Sequence, residues 1–102
     1  MNKVILVTLD QDETIVLADG KVSVSVSFFR ALARRAQERI ATLPSGEIVT
    51  AQWLLGVPYW QGLSSRQRQI AGLCISRMAN DRILPLIRLW SLSKTLAYYQ
   101  LP

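Results

Sequence analysis

Apolar residues return at helical spacing between Ser64 and Arg82, which predicts one helix with two different faces. One arc of this helix is apolar and is expected to be buried: Ile70, Ala71, Cys74, Ile75 and Met78. The other arc is mostly polar, with many hydrogen-bond donors and no acid: Arg66, Gln69, Leu73, Ser76, Arg77 and Asn80. Such a face is typical of a helix that lies in a DNA major groove, and equally of an ordinary solvated surface helix. Ser64, with Gln67 three residues on, is predicted to cap the helix.

The N-terminal part of the chain has the composition and alternation of strands. Lys3–Leu9 and Thr14–Ala18 are predicted to pair as a β-hairpin over residues 3–18. Asp19-Gly20 is a strong turn signal, and the strict alternation of Val22–Val26 predicts a short third strand.

A second helical stripe follows, running to Leu43, with Ser27 as its predicted N-cap. Its apolar members are Phe29, Leu32, Ala33, Ala36, Ile40 and Leu43. Pro44-Ser45-Gly46 is expected to end this helix, and Arg30, Arg35 and Arg39 lie on its outer side. These arginines are interpreted as part of a solvated face, with a phosphate contact or a dimer surface as the alternative.

Beyond Gly46 the chain predicts a short strand, a brief helix and a loop. Glu47–Val49 is the strand, and Thr50 is expected to cap a helix over Ala51–Leu55 that Gly56 ends. Val57–Leu63 is predicted to be a loop whose adjacent aromatics, Tyr59 and Trp60, fill the core.

After the helix of residues 64–82, two β-rich segments predict a C-terminal hairpin. Ile83–Trp90 has Pro85 near its start, Ser91-Leu92-Ser93 is the expected turn, and Lys94–Leu101 returns. The fold class is therefore α+β. A ββα piece of residues 1–44 is followed by a second piece of residues 45–102, and the two are expected to form one compact domain.

Residues 47–101 resemble the winged helix-turn-helix domains of small phage and plasmid proteins. The resemblance is carried by Thr50–Gly56, by Trp60 with Leu63-Ser64, by the helix with Gly72 and Met78, and by a closing strand with Tyr98 or Tyr99. One departure is the segment Val57–Leu63, which is longer than the usual three- or four-residue turn. The resemblance implies that the long helix enters the major groove and that the hairpin of residues 83–101 is the wing. The DNA-binding residues expected on this basis are Arg66, Gln69, Ser76, Arg77 and Asn80 on the helix, and Arg88 and Lys94 on the wing.

The charge distribution agrees with an anionic partner. Residues 1–20 hold one base and four acids, net −3, whereas residues 21–102 hold 11 bases and three acids, net +8. Nine of the 12 bases are arginine, which suits nucleic-acid recognition but is also expected of a GC-rich genome.

Several classes of function are disfavoured by what the sequence lacks. The chain has no histidine, no phosphate-binding glycine pattern and a single cysteine, so we expect no enzyme, no metal site and no cofactor. No stretch approaches about 18 apolar residues, which predicts no membrane span. With a single cysteine and no signal-peptide pattern at its start, the chain is expected in the cytoplasm of a bacterium or a virus-infected bacterium.

Two functions are compatible with these observations. The first is a small DNA-binding regulator, which would be a homodimer if it reads a palindrome. The second is a protein-binding module, such as a phage- or mobile-element-encoded inhibitor or adaptor that binds a host protein. The acidic start, the basic remainder and the expected exposure of Leu73 and of Tyr98 or Tyr99 favour this second reading. RNA binding through aromatic stacking has weaker support, because the aromatics do not alternate with basic residues on one strand.

Overall fold

The computed structural model describes residues 13–17, 20–89 and 97–102, and it has an α+β fold. In this part of the chain the strands are β1 Thr14–Leu17, β2 Val22–Ser25, β3 Ile48–Val49, β4 Ile87–Leu89 and β5 Tyr98–Gln100. The helices are α1 Val26–Ile40, α2 Ala51–Leu55, α3 Val57–Gln61 and α4 Ser65–Asn80.

The N-terminal hairpin pairs β1 with β2. The two strands are antiparallel, with Thr14 opposite Ser25 and Leu17 opposite Val22. The backbone N–H of Gly20 donates to the Leu17 carbonyl across the turn, and Gly20 has a φ of +89°, which glycine adopts at little cost. The strand predicted as third is thus the partner of Thr14–Leu17. The predicted strand Lys3–Leu9, and with it the hairpin of residues 3–18, lies outside the described residues.

Helix α1 differs from its prediction at both ends. Its N-cap is Ser25, whose hydroxyl accepts from the Phe28 N–H at 3.1 Å, so the prediction of Ser27 was wrong. Ser25 and Ser27 have the same capping hydroxyl, and the β1–β2 pairing ends at Ser25, so the helix begins directly after Ser25. The helix ends at Ile40, short of Leu43, where the Thr42 and Leu43 N–H groups donate to carbonyls three residues back, at 3.0 and 3.2 Å, and the Thr42 hydroxyl donates to the Arg39 carbonyl at 2.8 Å. The apolar stripe itself is confirmed, with Phe29, Leu32 and Ala36 buried.

The segment from Thr50 to Ser64 is more helical than predicted. Thr50 caps α2 as expected, and Gly56 ends it with a φ of +95°. The residues after Gly56 form α3, so the prediction of a loop over Val57–Leu63 was wrong. Pro58 lies in the first turn of α3, where its missing N–H costs no hydrogen bond. As a result only residues 62–64 connect α3 to α4, within the usual length of a helix-turn-helix connection.

Helix α4 begins with the predicted capping box. The Gln67 N–H donates to the Ser64 hydroxyl at 3.1 Å, and the Gln67 side-chain oxygen accepts from the Ser64 N–H at 2.8 Å. The predicted apolar arc is buried at Ala71, Cys74, Ile75 and Met78, and half-buried at Ile70. The burial pattern of this helix is thus the one that its periodicity predicts.

The second sheet has the order β3-β5-β4, with both pairs antiparallel. Its C-terminal pair confirms a hairpin-like pairing after α4, with Arg88 opposite Tyr99. Within the described residues the pairing is shorter than predicted. Pro85 lies before β4, outside the strand. Its two neighbours, Leu84 and Leu86, are buried in the core. The predicted turn Ser91-Leu92-Ser93 lies outside the described residues.

Both predicted pieces of the chain contribute to one cluster of buried side chains. The cluster takes Leu17 and Val24 from the hairpin and Leu32 from α1, together with residues of α4 and β5 such as Met78 and Tyr99. Trp60 and Tyr59 pack half-buried against it, as predicted. A domain boundary at residues 44 and 45 stays a prediction.

Arg82 has the left-handed backbone conformation, with a φ of +60°. It follows the end of α4, where the Ile83 N–H donates to the Met78 carbonyl at 2.8 Å and the Arg82 N–H to the Ala79 carbonyl at 3.2 Å, the pattern of a Schellman motif. We expect Arg82→Gly to raise the free energy of unfolding by about 0.5–1 kcal/mol, since glycine avoids the steric cost at this position. Urea denaturation would measure the change. Arg82→Ala is the control and should not stabilise; equal stabilisation by alanine would contradict the backbone explanation.

Cys74 is fully buried, and burial raises the pKa of its thiol to about 11. We expect the thiol to resist alkylation at neutral pH until the protein is unfolded. Because the folded-state pKa lies above that of an unfolded thiol, the stabilisation is complete below about pH 8.5 and is lost as the pH rises towards about 11. The difference in urea midpoint between wild type and Cys74→Ala, followed from neutral to alkaline pH, isolates this contribution. A pH-independent difference would contradict it.

Candidate functional site

The outer face of α4 holds the helix residues that the sequence proposes for DNA binding. The side chains of Arg66, Gln69, Arg77 and Asn80 are exposed, and Ser76 is half-buried. Leu73 is also half-buried and packs against the core cluster. The face is therefore accessible over most of its length, and its single apolar member is partly used in packing.

Two adjoining depressions bring these helix residues together with β4. One, of about 590 Å³, is lined by Arg66, Gln69, Ser76 and Arg88 among others. The other, of about 440 Å³, is lined by Ser76, Arg77, Asn80 and Arg88 together with Leu17 of the hairpin. Arg88 is exposed and borders both depressions, so it joins the helix face to the second sheet. Lys94, the remaining candidate, lies outside the described residues.

Arg66 and Gln69 have no hydrogen-bond partner for their side-chain donors among the described residues. Among the residues that the structure describes, neither side chain makes a hydrogen bond, and Arg66 has no acid within ion-pair distance. A guanidinium and an amide three residues apart, at the N-terminal half of an exposed helix, can donate to a phosphate or to the edge of a base.

Arg77 is placed differently, because its guanidinium is used inside the protein. Its Nε donates to the carboxylate of Asp81, one turn further along, and its Nη1 donates to the backbone carbonyl of Val16 at 2.9 Å. The Arg77 side chain therefore connects the C-terminal half of α4 to the N-terminal hairpin. This contact joins residues 61 positions apart, and local sequence patterns contain no signal for it.

Arg68 is a structural residue that the sequence analysis did not single out. Its Nε donates to the Trp60 carbonyl at 3.1 Å and its Nη2 to the Gln61 carbonyl at 3.2 Å. These carbonyls belong to the last residues of α3, where a positive charge is favoured. Arg68 thus ties the first turn of α4 to the end of α3.

Arginines of α1 stack on aromatic side chains of the next two helices. The Arg35 guanidinium lies 4.0 Å from the ring centre of Tyr59, and that of Arg39 lies 5.2 Å from the ring centre of Trp53. Arg39 also donates to the Trp53 carbonyl at 3.3 Å. Two of the four arginines of α1 therefore stabilise packing between helices. The other two, Arg30 and Arg34, are exposed.

Within the described ranges, no group of three or more histidine, cysteine or acidic side chains could hold a metal ion. No helix in those ranges is both long enough and apolar enough to cross a bilayer. Comparison of the chain with protein-family models, with curated proteins and with solved structures finds no significant match.

Proposed function

We propose that the protein is a small non-enzymatic DNA-binding regulator that places α4 in the major groove and uses the β4–β5 pair as a wing. The observation that carries the proposal is the surface shared by Arg66, Gln69 and Arg88, three exposed side chains on α4 and β4 that line one depression. Phosphate oxygens and the acceptor atoms of base edges bind hydrogen-bond donors, and these side chains present donors from one accessible helix face and the strand beside it. A cytoplasmic location, and a homodimer on a palindromic site, are parts of the same proposal.

The local charge supports this interpretation. Residues 57–102 contain five arginines, one lysine and a single acid, Asp81, which is paired with Arg77. The positive charge of Arg66 and Arg88 is therefore not neutralised by an acid within ion-pair distance in the described part of the chain. An excess of positive charge on one surface attracts the DNA backbone and increases the rate of encounter.

The connection between α3 and α4 also supports the proposal. The resemblance to winged helix-turn-helix domains had one departure, the long segment between the helix Ala51–Leu55 and the long helix. In the structure this segment contains α3, and residues 62–64 connect α3 to α4. From α3 onward, a short helix, a three-residue connection, a long amphipathic helix and an antiparallel strand pair follow one another, an order that is compatible with the resemblance although a second short helix, α2, precedes them.

The proposal is tested by measuring the fluorescence anisotropy of a labelled mixed-sequence DNA duplex as the protein is added, at several salt concentrations. We expect binding at low salt, with an affinity that falls steeply as salt is added, because bound phosphates release counterions. Absence of binding at low salt would overturn the proposal.

A protein-binding module is the second candidate, and the outer face of the second sheet favours it. Ile48, Ile87 and Tyr98 are exposed there by 54%, 58% and 37%, and the first two flank Gln100 in the same row of the sheet. Exposed apolar and aromatic side chains on one sheet are typical of protein interfaces. Affinity capture from a nuclease-treated host lysate separates the two candidates: a stoichiometric protein partner that survives nuclease favours the module, and loss of every partner favours the regulator.

A further inference from the structure

The Arg77 side chain is the direct polar link between the N-terminal hairpin and the outer face of α4 in the described part of the chain. One end of the link is the carbonyl of Val16, a residue of β1 whose side chain is 50% exposed. At the other end, the Asp81 carboxylate holds the guanidinium from within the same helix. Leu17, the next residue of β1, is buried in the core and borders the depression beside Arg77 and Asn80.

The charge at this point is locally balanced. Arg77 and Asp81 are each about 40% exposed, with relative side-chain exposures of 42% and 40%. A phosphate that approached Arg77 would also approach the carboxylate of Asp81, so the electrostatic gain would be small. The Arg77 guanidinium therefore differs from that of Arg66, which has no acid beside it in the described residues.

From these contacts we infer that Arg77 is a positioning residue: it fixes the N-terminal hairpin beside α4 and leaves DNA contact on this helix to its N-terminal half, at Arg66 and Gln69. The inference rests on the proposed DNA-binding function for its second part only. Its first part, the attachment of the hairpin, holds or fails independently of DNA.

The substitution Arg77→Lys distinguishes a positioning residue from a phosphate contact. Lysine keeps the positive charge but lacks the planar fork that holds Asp81 and the Val16 carbonyl together. We therefore expect both variants, Arg77→Lys and Arg77→Ala, to accelerate hydrogen exchange of the β1 and β2 amides by roughly three- to tenfold. This is the change expected when one charge-assisted hydrogen bond is lost at a half-exposed site. Arg66→Ala, the matched control on the same helix face, should leave this exchange unchanged.

The salt dependence of binding to the mixed-sequence duplex supplies the second readout. The slope of log K against log salt should fall by about 0.9 in Arg66→Ala and remain at the wild-type value in Arg77→Ala. A slope that falls equally in Arg77→Ala, with hairpin exchange unchanged, would overturn the inference and make Arg77 a phosphate contact. If the wild-type protein binds no DNA, the proposed function fails, whereas the exchange measurement still decides whether Arg77 attaches the hairpin.

Discussion

Met78→Asp is expected to unfold the protein. Met78 is fully buried on the inner face of α4, and its carbonyl also accepts the hydrogen bonds that end the helix. An aspartate there would place a carboxylate among apolar side chains such as Ile75 and Leu84, and the buried cluster of the described residues contains no cation to pair with it. Burial of an unpaired charge costs several kcal/mol, about the whole free energy of unfolding of a domain of this size.

Circular dichroism during heating is the measurement, and Met78→Leu is the control. Leucine conserves the volume and the apolar character of the site, so it should cost less than about 1.5 kcal/mol. If Met78→Asp melted within a few degrees of wild type, the buried and exposed faces of α4 would be wrongly assigned, and the DNA-binding proposal would lose its basis.

The double substitution Arg66→Ala with Arg88→Ala is expected to have the largest effect on DNA binding. These two side chains belong to different elements and line the same depression, and both are exposed. If each contacts a phosphate, their removal lowers the slope of log K against log salt by about 1.8. The loss of affinity should be about 2 kcal/mol or more. The fold should change little, because substitutions at exposed positions usually alter stability by no more than about 0.5 kcal/mol.

The matched control is the double substitution Arg30→Ala with Arg34→Ala on α1. It removes the same net charge from two exposed arginines on a different surface. Equal losses of affinity in the two double variants would mean that binding follows net charge alone, without a defined site on α4 and β4. Arg68→Ala is a further comparison, and it should reduce stability more than DNA binding because Arg68 donates to the backbone at the end of α3.

Local chemistry made part of the fold predictable from the sequence. The caps at Thr50 and Ser64, the end of α2 at Gly56 and the buried face of α4 each depend on residues within a few positions of one another. The errors also have local causes. Ser25 and Ser27 are equivalent as caps until the strand pairing is known, and Pro58 is compatible with a loop as well as with the first turn of a helix.

The arrangement of the site depends on contacts that sequence periodicity does not report. The sequence placed Arg66 and Gln69 on one helix face, and the structure agrees, but the position of Arg88 beside them requires the pairing of β4 with β5. The role of Arg77 depends on a carbonyl in β1, and a backbone carbonyl has no signature in the amino-acid sequence. Only long-range contacts therefore distinguish Arg77, which has a structural role, from the candidates for DNA contact such as Arg66 and Gln69.

The central strand of the second sheet has a consequence for synthesis on the ribosome. β5 lies between β3 and β4, and the β3–β5 pairing joins residues about 50 positions apart, with Leu101 continuing it through its N–H to the Glu47 carbonyl. The hairpin β1–β2, which spans only Thr14–Ser25, can close while the chain is still emerging, whereas β3 must wait for β5. During that interval the apolar residues of β3 have no strand partner in this sheet. We therefore expect the nascent chain to be most prone to aggregation between the synthesis of α4 and that of β5.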